Sequence, residues 1–192
     1  MIDPRDPNTI YATLWQQQQS FIEGQGFGGS GMGIFKSTDG GTSWVQLTNG
    51  LPSILQANIA IAPSEPNTLY AVIAPGQGAI GFYKSTDGGA HWFQPVKGVS
   101  NERPEARQDM RPLSRIGGGD LPTLAIDPKD PNVVYSASVV MWRTEDAGLT
   151  WSAVRGAPGG DDYQRIWINP NDPRIIVAVA DQGAVVSANR GL

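Results

Sequence analysis

Two nine-residue stretches, KSTDGGTSW at residues 36–44 and KSTDGGAHW at residues 84–92, differ at only two positions. Repetition of this kind constrains a fold more than composition does, because each copy must belong to the same supersecondary unit. Weaker copies follow as RTEDAGLTW at 143–151 and VSANRGL at 186–192. A second motif precedes each of them: IDPRDPNTIYATLW from Ile2, IAPSEPNTLYAVIA from Ile61, IDPKDPNVVYSASV from Ile126 and INPNDPRIIVAVAD from Ile168. The aligned positions Asp39, Asp87, Asp146 and Asn189 are spaced by 48, 59 and 43 residues. The chain therefore reads as one domain over 1–192, with units at about 1–50, 51–98, 121–156 and 163–192 and a long link over 97–122.

Each unit reads as four strands. An apolar run enters the Asp-Pro turn, and a second run rich in Val, Ile and Tyr leaves it. A third run ends in Lys-Ser or Arg-Thr, and a fourth starts near the Trp. Runs of β-branched and aromatic residues bounded by Pro, Gly, Asn and Asp have the chemistry of strands and turns. The 24 glycines and 15 prolines among 192 residues suit many short strands. Four-stranded units at this period predict an all-β fold, a β-propeller of about four antiparallel blades with the first and last incomplete.

The pattern Ser/Thr-x-Asp-x-Gly-x-x-Trp resembles the Asp-box, or BNR repeat. Proteins with this repeat include sialidases, xyloglucanase-type glycoside hydrolases, the sortilin luminal domain and a photosystem II assembly factor. With its paired DPxDPN…Y motif, the chain most resembles the xyloglucanase-like and sortilin-like bacterial propellers. The resemblance implies a segment of a larger secreted protein, extracellular or periplasmic. It also implies partners in the remaining blades of a parent propeller, because the first unit starts at its Asp-Pro turn and the last stops inside its Asp motif. A sialidase is disfavoured: its arginine triad and Tyr-Glu pair find no matching positions here.

The Asp motif has a structural account. Gly40, Gly41, Gly88, Gly89 and Gly148 supply positive φ for a hairpin, and Gly191 stands at the aligned position of the last copy. Asp39, Asp87, Asp146 and Asn189 can accept backbone N–H groups of their own turn, and Ser37, Ser85, Thr144 and Ser187 can bond within it. Trp44, Trp92 and Trp151 are expected to bury their rings between units, and losing one should cost roughly 3–5 kcal/mol. His91 falls at a variable position of the motif and is expected at the surface.

In an antiparallel meander the Asp-Pro and Asp turns share one end. The irregular second-to-third turns and the inter-unit links share the other, where binding is expected. Three features lie there. Arg103, Arg107, Arg111 and Arg115 are spaced by four and would share a helical face, although Pro112 limits a helix to about two turns. They either clamp a carboxylate or phosphate ligand, or form a solvated loop paired with Glu102, Glu105 and Asp109. Asp120, Asp161 and Asp162 precede innermost strands. They are either an acid–base pair for glycoside hydrolysis or ordinary turn residues. Asp181 occupies the tight turn of the last unit, where the third has Val139 and Val140, which are expected to be covered by a neighbouring loop. Gln16–Gln19 reads as a plain polar loop.

Other classes are disfavoured. A net charge of −4 argues against nucleic acid. No apolar run approaches the ~18 residues of a membrane span. There is no cysteine, and His91 is the only histidine, so neither a thiolate nor a His-rich metal site can form. No cofactor is implied. The leading reading is a ligand-binding propeller segment that holds a glycan or peptide. The alternatives are part of a β-glucan hydrolase, inactive by itself, and a purely structural segment.

Overall fold

A computed structural model describes residues 1–15, 17–20, 24–27, 31–96, 109–114, 120–156 and 161–191, with the backbone course alone at 17–20 and 24–27. The chain is all-β: among the described residues there is no α-helix, only a 3-10 turn at Arg111–Leu113. Among these residues no helix is long and apolar enough to cross a membrane.

Four antiparallel sheets follow one another along the chain. The first contains β1 (Ile10–Leu14), β4 (Gly33–Ser37) and β5 (Val45–Leu47). The second contains β6 (Ile54–Ile61), β7 (Leu69–Pro75) and β8 (Gly81–Ser85). The third contains β9 (Thr123–Ile126), β10 (Val134–Ala137), β11 (Met141–Thr144) and β12 (Ser152–Arg155). The fourth contains β13 (Tyr163–Ile168), β14 (Ile176–Ala180) and β15 (Gly183–Ser187). The first strands β6, β9 and β13 lie side by side at the centre, with β1 beside β6. This is the arrangement of a partial propeller.

Among the described residues, only the third blade has four full strands. In the first, Ile2 makes a single bridge to Ile10 before Asp3 turns the chain. In the second, Phe93 bridges Lys84, and Pro95, which has no N–H to donate, follows two residues later. The polar stretch after Trp15 is not a plain loop: β2 (Gln17–Ser20) pairs with β3 (Gly24–Phe27), Gln17 opposite Phe27. Glutamine and glycine are weak strand formers, so the backbone ladder here had no signature in the sequence.

The cores lie between blades and follow the strand period of two. Along β7, Leu69, Ala71 and Ile73 pack towards the first blade with Tyr11, Ile34 and Trp92. The alternate residues Tyr70, Val72 and Ala74 pack towards the third with Phe82, Leu121 and Val134. A third cluster joins Tyr135, Ala137 and Met141 to Ile166, Ile176 and Ala178. Backbone approach is close at one link: a Cβ on Gly50 would lie 1.9 Å from the Trp92 carbonyl oxygen, so only glycine fits.

The two repeated turns meet at one end. Gly40 N donates to Asn8 O at 3.0 Å, Gly88 N to Asn67 O at 2.9 Å, Ala147 N to Asn132 O at 3.0 Å and Arg190 N to Arg174 O at 2.9 Å. In three of the Asp-Pro turns one side-chain oxygen collects two backbone N–H groups: Asp3 from Arg5 and Asp6, Asp127 from Lys129 and Asp130, and Asn169 from Asn171 and Asp172. The second blade has Ala62 there and keeps only the backbone closure that all four turns share, Ala62 N to Thr68 O at 2.9 Å.

Candidate functional site

At the turn end the carboxylates are satisfied within their own turns. Asp39 Oδ1 accepts Ser37 Oγ at 2.7 Å and Ser43 N at 2.9 Å, and its Oδ2 accepts Ser43 Oγ at 2.6 Å. Ser37 Oγ in turn accepts Gly41 N at 2.8 Å. The same network holds Asp87 with Ser85, Gly89 and His91, and Asp146 with Thr144, Gly148 and Thr150. Ser187, Asn189 and Gly191 repeat its first half. Bonds from Ser43 hold the Asp39 carboxyl down at about 2, and bonds from His91 do the same for Asp87. His91 is exposed and places Nδ1 2.6 Å from Asp87 Oδ2. A carboxylate this well satisfied is a poor proton carrier at neutral pH.

The tryptophans of these turns differ. Trp92 is buried and Trp151 half-buried, each against the preceding blade, whereas Trp44 is 42% exposed. This corrects the expectation for Trp44: no blade precedes it among the described residues, and its Nε1 donates to Gly41 O of its own turn at 3.0 Å.

The opposite end gathers different chemistry. A groove of about 730 Å³ lies between the inner strands, lined among others by Trp15, Gln56, Asn58, Asp120, Tyr163 and Gln164. It continues along the same strands into a second groove of about 550 Å³, past Ile59, Leu124 and Ile166. Gln56 enters at a bulge in β6, which re-aims its side chain. It is 4% exposed, and its Oε1 accepts no hydrogen bond within the structure. Asn58 is used structurally: its Nδ2 donates to Leu121 O at 3.1 Å and Pro122 O at 3.0 Å, fixing the segment that carries Asp120.

Asp161 and Asp162 lead into β13. The Tyr163 N–H donates to Ser138 O at 2.9 Å, which anchors this entry to the third blade. Asp161 N donates to Gln182 Oε1 at 3.1 Å, and Gln182 Nε2 donates back to Asp161 Oδ1, beside Asp181. Asp162 sits at φ +50°, a left-handed conformation that Asp tolerates better than most residues. Its Oδ1 accepts Gln164 Nε2 at 2.7 Å. Lost solvation pushes the Asp162 carboxyl above its ordinary value, and Asp181, Asp120 and Asp161 push it further. Four sequence-predicted carboxylates thus share one electrostatic neighbourhood. Among the described residues no three ligand side chains converge as a metal site requires.

The arginine feature divides. Arg103, Arg107 and Arg115 lie outside the described residues. Arg111 opens the 3-10 turn, pairs with Asp109 (Nη2 to Oδ2, 2.7 Å) and stacks 4.7 Å above Trp142. Its neighbours are structural: Pro112 O accepts Ser136 Oγ at 2.5 Å, and Leu113 is buried among Tyr70, Phe82 and Val134. Val139 is 42% exposed rather than covered, while Val140 is half-buried close to Gly156. Trp15 and Gln56 had not been singled out.

Comparison with solved structures decides the architecture. An ancestral GH74 enzyme superposes with a TM-score of 0.62 at 16% identity, covering 99% of this chain and 22% of that one. The GH74 xyloglucanase from Xanthomonas campestris gives 0.61 at 17% identity, covering 100% and 29%. They share this chain's propeller fold. YCF48 from Cyanidioschyzon merolae gives 0.50 at 18% identity, covering 79% and 39%. This chain therefore spans 22–39% of the length of these structures, and at such identities the likeness is one of fold alone. No family model matches the chain, and no curated protein matches it.

Proposed function

We propose that the chain binds a glycan in the central groove at the end opposite the Asp turns. The observation that carries this reading is the groove's lining: an exposed Trp15 ring, with Gln56 and the carboxyl and amide groups of Asp120 and Gln164 along about 730 Å³. Sugars offer C–H faces to aromatic rings and hydroxyl donors to amide and carboxylate oxygens. A groove with few convergent polar groups on a rigid scaffold is the usual form of a small-ligand site.

One neighbour is by its name a xyloglucanase, so xyloglucan oligosaccharides are the first probes. Titration calorimetry is expected to show saturable binding, weakened at least about tenfold by Trp15→Ala and by Gln56→Ala. Oligosaccharides that give no heat, or that bind both variants unchanged, would sink the proposal.

The raised Asp162 carboxyl favours a second reading, a contribution to β-glucan hydrolysis. There Asp162 would donate the proton to the leaving oxygen, and Asp120 would be its partner carboxylate. Reducing-sugar release abolished by both Asp120→Asn and Asp162→Asn supports this reading. Binding without release supports the first.

A further inference from the structure

Strand registers make the blade interfaces comparable residue by residue. Tyr11 pairs with Lys36 across β1 and β4, Tyr70 with Lys84 across β7 and β8, and Tyr135 with Arg143 across β10 and β11. In the first and third blades both members of the pair reach one carbonyl in the Asp turn of the next blade. Tyr11 OH and Lys36 Nζ each donate to Gly88 O at 3.0 Å. Tyr135 OH and Arg143 Nη1 each donate to Arg190 O at 3.2 Å. The second blade departs from this rule. Tyr70 OH donates instead to Pro131 O, in the Asp-Pro turn, at 2.9 Å. Lys84 Nζ stands 5.4 Å from the centre of the Tyr70 ring and makes no hydrogen bond to any described residue. An ammonium has three donors and no acceptor, so a half-buried one calls for an oxygen partner.

The Lys84 amine opens into a cleft of about 490 Å³ at the Asp-turn end, lined among others by Asp3, Arg5, Glu65, Thr86 and Pro131. Two of these charges are already committed. Asp3 accepts two N–H groups of its own turn, and Arg5 Nη2 donates to Ser64 O. Glu65 accepts a long bond of 3.4 Å from Thr68 Oγ1. Lost solvation pulls the Lys84 amine below its ordinary value, and Glu65 pulls it back up. Lys84 and Glu65 therefore face one cleft as an uncommitted cation and a weakly committed anion, without forming an ion pair among the described residues. We propose that this cleft binds a free α-amino acid as its zwitterion, with the ligand carboxylate on Lys84 and the ligand ammonium on Glu65. Bonds between charged partners are the strong ones. A dipolar ligand suits a cleft in which Asp3 and Glu65 balance Arg5 and Lys84, whereas a dianion such as phosphate would meet two carboxylates. The site lies at the opposite end from the central groove and does not rest on the glycan reading.

The test titrates a panel of free L-amino acids into the whole chain by calorimetry. At least one is expected to bind saturably, and at least about tenfold more weakly to Lys84→Met and to Glu65→Gln. Its carboxamide and its N-acetyl derivative, each lacking one of the two charges, are expected to lose as much. Thermal melts check that both variants fold, and the two derivatives keep the test valid if Lys84→Met does not. Binding that both variants leave unchanged, or no binding by any amino acid, overturns the proposal. Binding that Trp15→Ala abolishes overturns it as well, because the ligand would then sit in the central groove.

Discussion

The stretches at 36–44 and 84–92 share seven of nine residues and form the same turn, yet they occupy different environments. Inside the turn the two share the same core bonds: serine to aspartate at 2.7 and 2.9 Å, glycine N–H to serine at 2.8 and 2.9 Å. Outside it they part. Trp92 is 4% exposed and belongs to the core with Tyr11 and Ile34, while Trp44 is 42% exposed. The turn is a local property of nine residues. The burial of its tryptophan is a property of the neighbouring blade.

Truncating the two rings should separate these contributions most sharply. Trp92→Ala is expected to cost about 3–5 kcal/mol, as for other buried aromatic residues. Trp44→Ala should cost under about 1 kcal/mol, since half-exposed surface substitutions rarely exceed that. Urea unfolding followed by circular dichroism checks both, and equal losses would mean that burial is not what distinguishes the copies. A smaller contrast lies in the glycines. Gly41 and Gly89 both sit at positive φ, so an alanine strains either one. A Cβ on Gly89 would fall 2.7 Å from Leu47 of the first blade, whereas on Gly41 the nearest atom is 3.7 Å away. Gly89→Ala should therefore be the worse by about 1–3 kcal/mol in the same unfolding assay.

The smallest difference is expected in acid. Hydrogen bonds hold Asp39 and Asp87 at about 2 in the folded chain, below the ordinary 3.8. A depressed folded value means the unfolded state takes up protons first as pH falls. Their contribution is thus complete above pH 3.8 and is lost as pH drops through about 2. Melting temperature should decline over that window, and Asp39→Asn and Asp87→Asn should each flatten the decline to the same degree. At the alkaline side the sign reverses. Burial pushes Tyr11 up to about 12 from 10.0, so its contribution is full below pH 10.0 and fades as pH rises through about 12.

What the sequence revealed follows the same division. Turns, strand order and the shared end of the two motifs were legible because their chemistry is local: an Asx acceptor, a hydroxyl, a glycine, a proline. The β2–β3 hairpin was not, since its pairing is carried by backbone in a stretch of glutamine and glycine. The carboxylates at the groove were nameable as Asp120, Asp161, Asp162 and Asp181, but their mutual influence depends on how separate loops converge. Gln56 was invisible for a related reason. An amide in a strand gains meaning only once the strand is known to line the axis, beside Trp15 from another blade.

The tyrosines of the Asp-Pro motif extend this picture. Tyr11 OH donates to Gly88 O at 3.0 Å, Tyr70 OH to Pro131 O at 2.9 Å and Tyr135 OH to Arg190 O at 3.2 Å. Each bond fastens one blade to the next and to nothing farther away. The molecule then behaves as a short one-dimensional array in which every unit feels only its neighbours. Opening should start at either terminal blade and travel inwards, so amide exchange would be slowest where the second and third blades meet.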